Sequence, residues 1–147
     1  MAFNLSSTTD IEASPHEIWA VLSDLSAWSE WNPFIFSATG EPVVGSTLTL
    51  KMRDTQGGEM TFTPKVLVAD APGELRWLGR LLMPGVFDGE HLFTLTDLGD
   101  GRTRLTQSEN FKGLLVPFMT KRLRERTGPQ FEAMNAALAA RVAAVRG

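Results

Sequence analysis

The sequence predicts an α+β protein in which a curved antiparallel β-sheet grips a long C-terminal helix, with two short helices after the first strand. Three observations lead there. The opening residues alternate with a period of two, turn signals recur through the middle, and the last segment carries apolar side chains at three- and four-residue steps. In the opening strand Phe3, Leu5, Ser7, Thr9, Ile11 and Ala13 share one face, and Asn4, Ser6, Thr8, Asp10 and Glu12 the other, the pattern of a strand with one wet side. Ser14-Pro15-His16-Glu17 then starts a helix: Ser14 caps it, Pro15 suits its first position, and Glu17 completes a capping box. Ile18, Trp19, Val21 and Leu22 form its buried stripe. Asp24 offers a second cap, for a short helix carrying Trp28 and Trp31 and stopped at Asn32-Pro33, where Asn32 is expected to make a cap or turn bond.

Strands are expected at Phe34 to Thr39, Ser46 to Met52, Met60 to Ala69, Glu74 to Leu82, Phe87 to Leu98 and Arg102 to Phe111. Gln56-Gly57-Gly58, Ala71-Pro72-Gly73, Pro84-Gly85 and Gly99-Asp100-Gly101 supply the turns, which makes the sheet an antiparallel meander. Val116 to Arg126 reads as helix. Gly128-Pro129 is expected to break or kink the run, with Thr127 and Gln130 as a fresh capping box, before a final helix whose stripe is Phe131, Met134, Leu138, Val142 and Val145. Nothing marks a domain boundary, so residues 1–147 are read as one domain.

Composition excludes several functions. Of 147 residues 43% are hydrophobic and 21% charged, enough for a core that buries about two-thirds of the unfolded surface. The sequence has no cysteine, which removes disulfides, thiolate chemistry and cysteine-ligated metals, and it has no tyrosine. A net charge of -3 provides no basic field for nucleic acid. No apolar run approaches the ~20 residues of a membrane span. The opening MAFNLSSTTD has neither the basic nor the apolar part of a signal peptide, so a cytoplasmic setting is expected. His16 and His91 lack metal-ligand spacing, and no phosphate loop, nucleophilic serine motif or dinucleotide fingerprint is present, so neither metal nor cofactor is expected.

A long helix under a curled sheet leaves a concave face to be filled. Trp28, Phe36, Met52, Phe62, Trp77, Phe87, Phe93, Phe111, Phe118, Met119, Phe131 and Met134 are the candidates to point inward, and Trp31 is a candidate gate beside Trp28. Aromatics and methionines suit an apolar pocket and equally a filled core; the grip geometry favours the pocket. Hairpin arithmetic places polar groups among them. For a turn centred on Asp100, paired residues sum to twice that position, so Leu95 faces Leu105, Phe93 faces Gln107 and His91 faces Glu109. The apolar members put this face inward, and His91 with Glu109 then forms an acid–imidazole pair able to move protons near neutral pH. The same pair can equally satisfy itself as a structural element. Arg76 and Arg80 alternate with Trp77 and Gly79 and are placed outward, while Asn135, beside Met134, is a further polar anchor if it faces in. Lys121, Arg122, Arg124 and Arg126 form a basic patch, read as a solvated face or as a dock for an anionic head group or partner.

Ala13-Ser14-Pro15-His16-Glu17-Ile18-Trp19-Ala20-Val21-Leu22-Ser23-Asp24, followed by Trp28 and Trp31-Asn32-Pro33-Phe34, resembles the entry motif of the SRPBCC superfamily of START-type, Bet v 1-like and polyketide cyclase/dehydrase-like proteins. Phe87-Asp88-Gly89-Glu90-His91 with Phe93, then Glu109, Phe111 and Gly113, is similar to a bacterial branch of it. The resemblance runs along almost the whole chain and implies a helix-grip fold with a deep hydrophobic cavity. The expected function is binding of a small hydrophobic or amphipathic molecule such as a lipid, polyketide or aromatic metabolite, with His91, Gln107 and Glu109 orienting its polar end. Two alternatives stand beside it: a cyclase or dehydratase using His91 and Glu109 as acid and base, and a protein-interaction module of the chaperone-activator type. The oligomeric state is left open, a dimer being one option.

Overall fold

Eight antiparallel strands and a C-terminal helical run organise the computed structural model, which describes residues 2–53, 57–81 and 83–146. Five strands form the main sheet, in the order β1 (Ala2–Ile11), β8 (Arg102–Lys112), β7 (Phe87–Gly99), β6 (Glu74–Leu81) and β5 (Lys65–Asp70). The first strand therefore pairs with the last. Three more, β2 (Ile35–Thr39), β3 (Thr49–Arg53) and β4 (Glu59–Phe62), form a second sheet. The single meander expected from the turn signals is thus two sheets, and the strand expected from Met60 to Ala69 is divided between them. Pro64 is the reason: without an N–H it cannot continue a ladder. Its carbonyl instead accepts from the Leu48 N–H at 2.8 Å, and Val66 bonds to Gly45 and Ser46, which ties the sheets together. The Gln56-Gly57-Gly58 turn and the end of the strand expected to reach Leu82 extend outside the described residues.

The helix starts follow local chemistry. Ser14 Oγ accepts from the Glu17 N–H at 3.3 Å, and Glu17 Oε1 accepts from the Ser14 N–H at 3.2 Å, completing the capping box of α1 (Pro15–Leu22). The Ser14 backbone N–H, and then its hydroxyl, hold the Glu17 carboxyl below the usual carboxylate range. This favours the fold above that range, and the benefit fades as pH falls through the lowered value. A 3-10 turn follows at Leu25–Glu30; Asp24 precedes it without capping it and accepts a bond from Ser26 instead. Asn32 Oδ1 accepts from the N–H groups of Phe34 and Ile35, both at 2.9 Å, and launches β2.

Gly128-Pro129 does not end the C-terminal helix. A 3-10 turn (Val116–Phe118) leads through α2 (Thr120–Arg122) and a π-helical turn (Leu123–Thr127) into α3 (Gly128–Arg146) without interruption. Pro129 has no N–H to bond one turn back, and the wider π turn accommodates that loss within a continuous run. Thr127 and Gln130 consequently do not form a capping box; the Gln130 side-chain amide donates to the Arg53 carbonyl. The buried face of α3 is Phe131, Met134, Asn135, Leu138 and Val142, while Val145, expected in the same stripe, is exposed in the last turn. No helix among the described residues is long and apolar enough to cross a membrane.

The core closes where the 3-10 turn meets the sheet. Trp28 is fully buried, its Nε1–H donates to the Leu22 carbonyl at 3.1 Å, and its ring lies 6.2 Å from Trp77 and 6.3 Å from Phe93. This one side chain joins α1, the 3-10 turn and the main sheet. Trp28→Ala is expected to destabilise the fold by about 3–5 kcal/mol, measured as a shift in urea midpoint with an unchanged denaturant slope; a loss under 1 kcal/mol would show that Trp28 does not hold this end together.

Candidate functional site

Between β6–β8 and the helical run lies a cavity of about 380 Å³, inside the size range of small-molecule sites. Odd-numbered residues of β6 and β7 face it, among them Trp77, Gly79, Leu81, Phe87, Gly89 and His91. Glu109 and Phe111 face it from β8, Phe34, Met52 and Phe62 from the second sheet, and Met119 and Leu123 from the helical run. The exposed rim holds Met60, Arg53, Arg80 and Arg122. A second hollow, of about 420 Å³, lies between α1 and the end of α3. It is spanned by the ion pairs Arg146–Glu17 at 2.6 Å and Arg141–Glu30 at 2.7 Å, which mark it as a docking seam of the helices.

The β7–β8 register agrees with the hairpin arithmetic at each step: His91 opposes Glu109, Phe93 opposes Gln107 and Leu95 opposes Leu105. Alternation then turns all six side chains to the concave face. His91 is 1% exposed and Glu109 18%. The imidazole stacks on Trp77, with centroids 5.0 Å apart and planes at 19°, and is boxed in by Phe93 at 4.9 Å and Phe131 at 5.0 Å. Its Nδ1 lies 3.1 Å from Glu109 Oε1 and its Nε2 2.9 Å from Gln107 Oε1.

The hydrogen-bond inventory fixes the protons. Gln107 Nε2 contacts the Phe131 carbonyl at 3.3 Å and Asn135 Oδ1 at 2.8 Å; the carbonyl only accepts, so this end of the amide is the donor. Asn135 Nδ2 likewise faces the Ser7 carbonyl at 3.3 Å and the Ser7 hydroxyl at 3.2 Å. Gln107 Oε1 must therefore accept from His91, whose Nε2 carries hydrogen. Only one arrangement then satisfies the contact with Glu109: a single proton lies between Nδ1 and Oε1, as imidazolium with carboxylate or imidazole with carboxylic acid. With no proton there, two lone pairs would face each other. Glu109 Oε2 has no hydrogen-bond partner among the described residues and sits over Gly89, where any added Cβ would collide with it.

The structure brings part of the expected set together. Met52, Phe62, Trp77, Phe87, His91, Glu109, Phe111 and Met119 line the cavity. Phe93, Gln107, Phe131, Met134 and Asn135 are buried beside it, as support for His91 and α3 packing. Trp28 is core behind Trp77, and Trp31 borders the second hollow, so neither stands at the cavity mouth. Phe36, next to a β-bulge, lies half-buried under the Arg53 guanidinium at 4.4 Å. Phe118 points away from the cavity and is 85% exposed, because the 3-10 turn that carries it directs Val116 into the core instead. Arg76 is outward, paired with Glu74 at 2.9 Å and Glu90 at 2.8 Å; Arg80 is exposed too, yet its side chain reaches the cavity rim. Sequence reasoning assigned no role to Gly89, although its place two residues before His91 on the same face was a usable signal. It also left Arg122 and Arg126 within an undivided basic patch.

Fold and cavity define a helix-grip protein of the SRPBCC superfamily, START- and Bet v 1-like in architecture. The chain belongs to the polyketide cyclase/dehydrase and lipid transport family, whose sequence model matches residues 2–143. A START superfamily protein from Mycobacterium smegmatis is 25% identical with a TM-score of 0.74, the match covering 97% of this chain and 98% of that one. Zhui aromatase/cyclase from Streptomyces sp. R1128 is 16% identical with a TM-score of 0.79, covering 97% and 94%. Norcoclaurine synthase from Thalictrum flavum, solved with dopamine and hydroxybenzaldehyde, is 14% identical with a TM-score of 0.74, covering 97% and 87%. No curated protein matches the sequence.

The proton assignment is open to nitrogen-15 NMR of the histidine side chains. His91 is expected to show a protected Nε2–H and an Nδ1 that is protonated or strongly hydrogen-bonded. In Gly89→Ala the new methyl displaces Glu109, and Nδ1 should move to the position of a bare lone pair with Nε2–H retained. A wild-type ring protonated at Nδ1 and bare at Nε2 would refute the assignment.

Proposed function

We propose that this protein binds a small, largely apolar ligand in the cavity, with a polar atom of the ligand hydrogen-bonded to Glu109. One observation carries the reading: an apolar hollow of about 380 Å³ has in its wall a carboxyl group whose second oxygen has no hydrogen-bond partner among the described residues. Removing apolar ligand surface from water supplies roughly 25 cal/mol per Å² before ordering costs. The polar contact supplies orientation. Residues 1–147 act as one unit in this reading, in a cytoplasmic setting, with no cofactor.

A second reading, acid–base catalysis on a bound carbonyl compound, is favoured by the shared proton. A Glu109–His91 pair that already holds one proton can give it to a ligand oxygen, or receive one through Oε2, with Gln107 and Asn135 holding the ring in place. The aromatase/cyclase and synthase named among similar folds are consistent with such use, although likeness at their level of identity speaks for the fold alone.

Gly79 provides the test. It lines the cavity from β6, and a Cβ there meets only ordinary contacts, so a side chain can enter the hollow without strain. The wild-type protein is expected to bind the uncharged fluorophore N-phenyl-1-naphthylamine, and Gly79→Leu to weaken that binding at least about tenfold, one decade being ~1.4 kcal/mol, with thermal stability retained. Equal binding by a folded Gly79→Leu protein would place the fluorophore elsewhere and end the reading.

A further inference from the structure

The cavity wall opposite the sheet carries an unbalanced charge. Met119, Arg122, Leu123, Arg126, Thr127 and Gln130 line it in steps of three and one, a single face of the helical run. Four guanidiniums border the cavity, and two of them are engaged. Arg53 faces Glu59 at 3.9 Å and lies over the Phe36 ring, and Arg80 faces Asp88 at 3.6 Å. Arg122 and Arg126 have neither a carboxylate partner nor a hydrogen bond among the described residues. Glu109, the only carboxylate in the wall among the described residues, is engaged with His91. Among the described residues two positive charges thus remain without a partner beside an apolar hollow, in a chain whose net charge is -3.

This placement separates them from the rest of the basic patch. Arg124 leaves the cavity and lies over the Phe3 ring at 5.3 Å, and Lys121 is exposed outside the lining. Arg122, at the exposed rim, and the half-buried Arg126 instead border the side chains of Met119 and Leu123. Apolar walls exclude water from one side of a charge, so an anion arriving there is attracted more strongly than on an open surface. Two guanidiniums also offer paired donors that match the oxygens of a carboxylate, sulfonate or phosphate.

We infer that the ligand is an organic anion, its apolar body in the cavity and its acidic group held at the mouth by Arg122 and Arg126. The inference rests on the ligand-binding reading above and adds a second point of recognition to Glu109. It also sets a polarity: the charged end stays at the rim, and an uncharged oxygen or N–H goes inward. Glu109 and the arginines then do not compete for the same group.

Two probes that share one skeleton separate the claims. The sulfonate 8-anilinonaphthalene-1-sulfonate and the uncharged N-phenyl-1-naphthylamine are titrated into wild-type protein and into the double variant Arg122→Gln, Arg126→Gln. The sulfonate is expected to bind about tenfold more weakly to the double variant, and in the wild type to lose affinity as salt rises, while the uncharged probe stays within twofold in both comparisons. Unchanged sulfonate affinity in the double variant, or a parallel loss of both probes, overturns the anion site and leaves the cavity reading intact. Failure of both probes to bind the wild type overturns the cavity reading and the anion site together.

Discussion

The pairing register of β7 with β8 is the constraint on which the site depends. Gly99, Asp100 and Gly101 take φ values of 85°, 56° and 74° at the turn, a left-handed run that glycines on either side make accessible. From there the register places His91 opposite Glu109, and the neighbouring strands hold it from both sides: Trp77 of β6 opposes His91, and Ser7 of β1 opposes Gln107. Because side chains alternate with a period of two, a slip of one residue would turn the whole polar set to solvent and bring Leu92 and Ser108 inward. Three strand pairings would have to fail together for that to happen.

Within this frame the polar groups under the sheet form a closed chain with one free end. Ser7, Asn135, Gln107, His91 and Glu109 satisfy one another in sequence, each contact joining β7 to β8 or the main sheet to α3. A polar group left unpaired in such surroundings costs on the order of 1–3 kcal/mol, which explains why the chain is complete up to Glu109. There it stops. Glu109 lines the hollow, and its Oε2 occupies the space that the missing Gly89 side chain leaves.

Much of the fold was legible because its signals are local. The alternation of β1, the Ser14–Glu17 capping box, the Asn32 bond and the β7–β8 hairpin each depend on residues close in sequence, and each is present. The differences come from tertiary context. Pro64 divides a strand that periodicity alone runs together, and the π turn carries the helix through Gly128-Pro129, which local rules treat as a break. Phe118 and Val145 are large and apolar yet exposed, since the position of the turn or helix end, not hydrophobicity, decides where they point. The separation of Arg122 and Arg126 from Arg124 follows from ordinary four-residue helical spacing, but which of those two faces meets the cavity depends on how the run packs against the sheet, which the sequence does not state.

A crystal structure of the protein with N-phenyl-1-naphthylamine bound tests the central claim most directly. The account predicts the fluorophore between β6–β8 and the helical run, with its amine N–H within hydrogen-bond distance of Glu109 Oε2 and the His91–Glu109 contact retained. A hollow closed by Phe87, Phe111 and Met119 with the fluorophore on the outer surface, or a Glu109 turned away from His91 to water, would contradict it.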